Sequence, residues 1–246
     1  MAITPPNWVQ LANRDADLPA ALATCSGGRI PQMSKGHVLC KIQIGTEEPN
    51  EAASAMMTTL SPFTPLTLYT IGHSNRSIED FLDLLHRIGI RQLVDVRSHP
   101  SSQRFPQFNG DALREALEEV KIAYHWAGRH LGGHRQGRSQ SLHIALGDAA
   151  LRAYADHMET EVFARSVGQL TNLARRGRLA VMCAEQHPRN CHRSLIADYL
   201  TLQGHRILHL IDENSTEEHL LDARARRESG RLIYDRLEAR ELEIRQ

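Results

Sequence analysis

The sequence predicts an α/β domain: a mostly parallel open sheet of about five strands with helices on both faces, an irregular N-terminal arm and a charged C-terminal helix. Two observations carry that expectation. Short β-branched or apolar runs alternate with stretches of helical period from Leu66 to about Leu220. Polar signatures also follow the apolar runs, at the strand ends where open α/β sheets keep their chemistry.

Residues 1–63 hold prolines, small residues and two scattered thiols, Cys25 and Cys40, with strand-like alternation only from Val38 to Ile44. They read as an irregular arm, and Met56 and Met57 offer an alternative start just ahead of the domain. The domain itself spans residues 64–222 and opens with a buried strand from Leu66 to Ile71. Gly72 to Arg76 turns the chain. Ser77 then offers an N-cap, and Phe81, Leu84, Leu85 and Ile88 recur at helical spacing until Gly89.

Gln92 to Val96 is the second strand. It delivers Asp95 and Arg97 to one side of its carboxyl end, placed to pair with one another or to share a ligand. The next loop is rich in Pro, Ser and Phe, and from Arg97 to Gly110 it carries Arg97 and Arg104 but no acid. Asn109 or Asp111 caps a helix through Leu113, Leu117 and Val120. A third strand, Ile122 to Trp126, leads into a long loop from Ala127 to about Leu146 that holds Arg129, His130, Gly132, Gly133, His134, Arg135 and Arg138, again without an acid.

Asp148 to Arg176 reads as one or two helices closed by Gly177. The fourth strand, Leu179 to Cys183, is followed by a polar loop and a helix that opens near Cys191 and runs to about Leu202. Ile207 to Ile211 is a fifth strand, with His209 read as a hydrogen-bonded core residue. The alternating charges of residues 223–246 predict a solvated helix with a narrow stripe of Leu232, Ile233, Leu237 and Leu242.

The fourth strand and its turn concentrate the chemistry. Cys183, Cys191 and His192, with Glu185 or a histidine from elsewhere, would give soft ligands to zinc or iron, although the spacing matches no standard finger. Cys183 to Arg189 fits the bare C-x5-R pattern of cysteine phosphatases, yet the loop lacks a glycine to wrap an anion and Glu185 would repel one. Simple core filling accounts for Cys183 but not for Glu185, Cys191, His192 and Arg193 in the same turn.

These residues resemble the uncharacterised family called domain of unknown function 488, through TIGHSNRSIEDFLDLL near Thr70, LVDVRSHPSSQRFPQFN from Leu93, HLGG at His130 and CAEQHPRNCHR from Cys183. The likeness covers about Leu66 to Leu220. It implies a compact α/β domain with recurrent positions at His73, Ser74, Asp95, Arg97, Pro100, Ser102, Phe108, Gly132, Gly133, Cys183, Glu185, Cys191, His192 and Arg193. It implies no activity.

A formal net charge of zero removes the simplest argument for nonspecific nucleic-acid binding. The basic residues are almost all arginine, Lys35, Lys41 and Lys121 being the only lysines. No P-loop or dinucleotide fingerprint is present. With no apolar run long enough to span a bilayer and no secretory signal at the N-terminus, a cytoplasmic protein with reduced thiols and no membrane contact is expected.

Right-handed crossovers bring the strand-to-helix loops of such a sheet to one edge, so the polar clusters should converge on a single basic cleft. The reading is an enzyme of hydrolase or transferase type acting on a phosphate-bearing substrate, a nucleotide or nucleic acid. Asp95 or Glu185 would be general acid or base, and Cys183 or Cys191 nucleophile or metal ligand. Arg97 and Arg193 would clamp the anion, while Phe105, Phe108 and Trp126 offer faces for a base. His73, Ser74, Ser102, Gly132, Gly133 and His192 complete the substrate-binding set. The alternative is a non-catalytic domain in which Cys183 and Cys191 trap a metal or form a reversible disulfide.

Overall fold

The computed structural model describes residues 64–236. The expected irregular arm, its strand near Val38 and the thiols Cys25 and Cys40 lie outside the described residues, as do residues 237–246. All five expected strands form: β1 (Thr67–Gly72), β2 (Gln92–Asp95), β3 (Ala123–Trp126), β4 (Leu179–Cys183) and β5 (Arg206–Leu210). They run parallel in the order β3-β2-β4-β1-β5, and a short antiparallel strand, β6 (Thr216–Glu218), extends the β5 edge. Six helices accompany them among the described residues: α1 (Ile78–Ile88), α2 (Gly110–Glu119), α3 (Gly128–Leu131), α4 (Ala149–Met158), α5 (Glu161–Arg176) and α6 (Arg193–Leu202).

Strand order explains why both faces are covered. The connections β1 to β2 and β2 to β3 step across the sheet in one direction, while β3 to β4 and β4 to β5 step the other way. Right-handed crossovers in opposite directions place their helices on opposite faces. Accordingly Phe81, Leu84 and Leu85 of α1 and Leu113 and Leu117 of α2 pack with Ile71, Leu93, Ala180 and Met182. Tyr154, Phe163, Val167 and Leu195 of α4 to α6 pack with Leu68, Val94, Val181 and Ile207 on the other face.

Local signals set the helix ends. The Ser77 hydroxyl accepts from the Asp80 amide, and Gly89 takes the left-handed conformation (φ 74°) that stops α1. The Asp148 carboxylate accepts from the amides of Ala150 and Leu151 to start α4. Asn109 precedes α2 without capping it, because its Oδ1 accepts from the Ser102 amide at 2.6 Å.

The C-terminal expectation fails over residues 225–234. In place of the charged helix, β7 (Ala225–Glu228) and β8 (Arg231–Tyr234) form an antiparallel hairpin. Ser229 and Gly230, with φ of 48° and 80°, supply the two left-handed residues of a tight turn between twisted strands. Leu232, Ile233 and Tyr234 are buried, and the charge alternation is used locally, as when Arg226 pairs with Asp235 at 2.8 Å. The domain therefore continues to Tyr234, whose carbonyl accepts from the Ala145 amide at 2.9 Å.

Candidate functional site

β2, β4 and β1 are neighbours, and their ladders continue past the strand ends. The His73 amide donates to the Cys183 carbonyl at 3.0 Å, Ser74 to Ala184 at 2.9 Å and Val96 to Met182 at 2.9 Å. Gly72 is obligatory in this arrangement, since a Cβ there would lie 1.8 Å from the Glu185 carbonyl oxygen. Beyond this point the β1 loop leaves toward α1 on one face and the β4 loop toward α6 on the other. Such divergence opens a crevice at the carboxyl edge. A cavity of about 1090 Å³ fills it, lined by His73, Ser74, Arg97, Ser102, Phe105, Gly133, Glu185 and His192 among others, with Cys183 and Cys191 in its wall.

On the α1/α2 side a buried polar chain is built on Asp95, which is fully inaccessible. Arg97 grips this carboxylate with Nε at 3.0 Å from Oδ1 and Nη2 at 2.6 Å from Oδ2, and Nη2 also donates to the Phe108 carbonyl at 2.8 Å. The Tyr124 hydroxyl donates to Asp95 Oδ2 at 2.8 Å. His73 donates through Nδ1 to the Ser74 carbonyl at 2.9 Å, which leaves Nε2 to accept from Arg97 Nη1 at 3.3 Å. Burial and the Arg97 charge hold His73 down to about 4, so the ring is neutral. It stacks on Phe108 with centroids 4.5 Å apart.

The other side carries the sulfurs. Cys183 is the last residue of β4 and Cys191 closes the 3-10 turn before α6. Their Sγ atoms stand 2.9 Å apart, unbridged, with 2% and 6% of each residue exposed. His192 donates through Nε2 to the Val96 carbonyl at 3.2 Å, so its Nδ1 lone pair faces Cys191 Sγ at 3.6 Å. Gly133 makes room for this ring, because a Cβ there would come within 2.7 Å of Nδ1. Arg193 is 1% exposed. Its Nη2 donates to the carbonyls of Glu185 and Gln186 at 3.1 and 3.0 Å, while Nε and Nη1 are buried without a hydrogen-bond partner.

A guanidinium in that position needs a counter-charge. The hydrogen bond from Cys191 and the nearby Arg193 charge pull Cys183 below the ordinary thiol range, against burial, whereas the bond to Cys183 and burial push Cys191 well above it. The two thiols are coupled, and Cys183 is the one that gives up its proton more readily. The Arg193 amide, in the first turn of α6, approaches Cys191 Sγ at 3.4 Å, yet Cys191 is the thiol that is held up.

The edge thus gathers His73, Ser74, Arg97, Ser102, Gly133, Cys183, Glu185, Cys191 and His192 into one cavity wall. Asp95, Phe108, Gly132 and Arg193 stand behind it. For Asp95 and Arg193 this changes the expected chemistry: Asp95 is consumed by Arg97 and Tyr124, Arg193 is turned toward the loop carbonyls behind the wall, and neither lines the cavity as acid or clamp. Arg97 lines the cavity, but its charge is neutralised by Asp95. Two arginines of the long loop turn elsewhere, Arg135 to the Gly132 carbonyl and Arg138 to Glu159. With Arg97 and Arg104 set against Asp148 and Glu185, the lining carries no net positive charge. Trp126 is likewise committed, donating to the Arg97 carbonyl at 2.9 Å.

No group of three or more His, Cys, Asp or Glu among the described residues is arranged to hold a metal ion. Tyr124 had no signal in the sequence beyond lying in a strand. His209 is the hydrogen-bonded core residue the sequence suggested, but its partners were not legible: a chain runs from Thr70 through His209, His219 and Asp198 to Tyr234, and its links of 2.6 to 2.9 Å tie β1, β5, α6 and β8 together.

An open parallel sheet with a thiol pair and a buried arginine at its carboxyl edge defines an α/β protein with a cysteine-bearing cleft. The chain belongs to the family described as domain of unknown function DUF488, whose model matches residues 77–200. That span holds Cys183, Cys191, Asp95 and Arg97, while His73 and Ser74 precede it. No curated protein and no solved structure matched the chain.

Proposed function

We propose that the protein is an enzyme using the Cys183 thiolate as nucleophile on a phosphate-bearing substrate, a nucleotide or nucleic acid. One observation carries the reading: Cys183, in the wall of a large cavity and with its thiol pulled below the ordinary range, neighbours a buried Arg193 that forms no ion pair among the described residues. A thiol that merely filled the core would need no such neighbour.

Recognition of an anion would fall to placement rather than net charge. Ser101, Ser102 and the exposed Arg104 stand on one loop, beside the Phe105 ring on which a base can stack. Glu185, an exposed residue lining the same cavity two positions after Cys183, would serve as general base for the water that releases a Cys183-bound intermediate. Asp95 acts from behind the wall by holding Arg97, which in turn fixes His73.

The test is a panel of nucleotides, sugar phosphates and short single-stranded DNA, followed by mass spectrometry of products and by thermal shift. The reading expects turnover of at least one compound, lost by about a thousandfold or more in Cys183→Ser while the ligand still stabilises the variant. Equal turnover by a folded Cys183→Ser variant, or a panel that neither binds nor reacts, would overturn it.

A further inference from the structure

We propose that Cys183 and Cys191 are a peroxide-reactive pair: Cys183 is oxidised by a hydroperoxide and Cys191 closes on it as a reversible disulfide. The geometry is nearly made. A disulfide bond is about 2.05 Å long, so sulfurs 2.9 Å apart need roughly 0.9 Å of approach. That movement falls on the turn between Cys183 and Cys191, since Cys183 is held by the β4 ladder and Cys191 stands at the turn's far end. Both sulfurs border the cavity, which admits an oxidant hardly larger than water.

The chemistry balances with residues in place. The Cys183 thiolate attacks one peroxide oxygen, the O–O bond breaks, and an alcohol or water departs after protonation, leaving a sulfenic acid. Cys191 sulfur then attacks Cys183 sulfur and the S–O bond breaks. The Cys191 proton passes to the His192 Nδ1 lone pair 3.6 Å away and on to the departing hydroxide, which leaves as water. Two thiols and one hydroperoxide thus give a disulfide, an alcohol or water, and water. A dithiol reductant reverses the change.

Two thiols in van der Waals contact inside a core are the alternative. They do not account for a neighbouring arginine with two unpartnered nitrogens or for an imidazole whose lone pair is directed at the second sulfur. The cross-link itself requires no substrate and goes beyond the activity proposed above. Its consequence, loss of the nucleophile on oxidation, rests on that reading.

The experiment uses the full chain carrying Cys25→Ser and Cys40→Ser, so that only the pair can respond. After a stoichiometric pulse of hydrogen peroxide, peptide mapping without reductant should recover the Cys183 and Cys191 peptides joined, and dithiothreitol should separate them. In Cys191→Ser the same pulse should trap dimedone on Cys183. Both thiols still alkylatable after the pulse, or oxidation of Cys183 to sulfinic acid without any joined peptide, would overturn the proposal. If the cross-link forms but turnover survives it, the oxidation chemistry stands and the role of Cys183 in turnover falls.

Discussion

Asp95 shows how a residue read as a catalytic acid becomes a structural anchor. It is inaccessible, and its two oxygens are divided between Arg97 and Tyr124. Removing the Tyr124 hydroxyl in Tyr124→Phe deletes one hydrogen bond and should cost about 1 to 2 kcal/mol in urea unfolding. Asp95→Asn leaves a buried guanidinium uncompensated and should cost about 3 to 5 kcal/mol. If Asp95→Asn were no worse than Tyr124→Phe, the pair would not be holding the loop. Strand alternation made it legible in sequence that Asp95 and Arg97 share a side. Whether that guanidinium is spent internally or offered to a ligand is decided by Tyr124, on the adjacent strand, and by the Phe108 carbonyl, whose proximity no spacing rule reports. Arg193 is the mirror case, recognisable as important but placed behind the wall rather than in it.

At the scale of elements, the sequence was most informative where the period was strong. All five parallel strands, with α1, α2, α4, α5 and α6, follow from apolar runs of period two or continuous burial and from stripes such as Phe81, Leu84 and Leu85, whereas the short α3 falls in the stretch expected to be a loop. The hairpin β7–β8 was missed because alternating charges satisfy a helical pattern as well as a cross-strand one. The informative signal was Ser229-Gly230, a turn dipeptide flanked by Arg227-Glu228 and Arg231-Leu232. The insertion of β4 between β2 and β1 was illegible too, because strand order depends on packing between distant segments. Yet that insertion brings the Cys183 turn between the His73 turn and the Arg97 loop. Gly72 and Gly133 record the consequence: each faces a neighbour, the Glu185 carbonyl or the His192 ring, too close for any side chain.

Taken as a whole, the molecule buries several imidazoles in neutral form, and this sets its response to acid. Burial and Arg97 hold His73 to about 4; burial, with Arg193, holds His192 to about 4; burial and His219 hold His209 to about 3, all against an ordinary 6.5. Between those values and about 6.5 the unfolded chain binds protons that the folded one refuses, so stability rises with pH there. The stabilisation is complete above about pH 6.5 and is lost as pH falls toward 4, each ring contributing up to about 1.4 kcal/mol per pH unit. The urea midpoint should therefore be flat from about pH 7 to 8 and drop steeply below about 6. A midpoint unchanged down to about pH 5 would mean that these rings accept protons in the fold.

The account rests on Cys183 carrying the charge that answers Arg193. The most direct measurement is the rate of alkylation of Cys183 by a small haloacetamide as a function of pH, read by peptide mapping. The midpoint should lie clearly below the value of about 8.5 for an unperturbed thiol and rise in a folded Arg193→Gln variant but not in one that keeps the charge, Arg193→Lys, with Cys191 reacting later than Cys183. A midpoint at or above the unperturbed value, unmoved by Arg193→Gln, would contradict it.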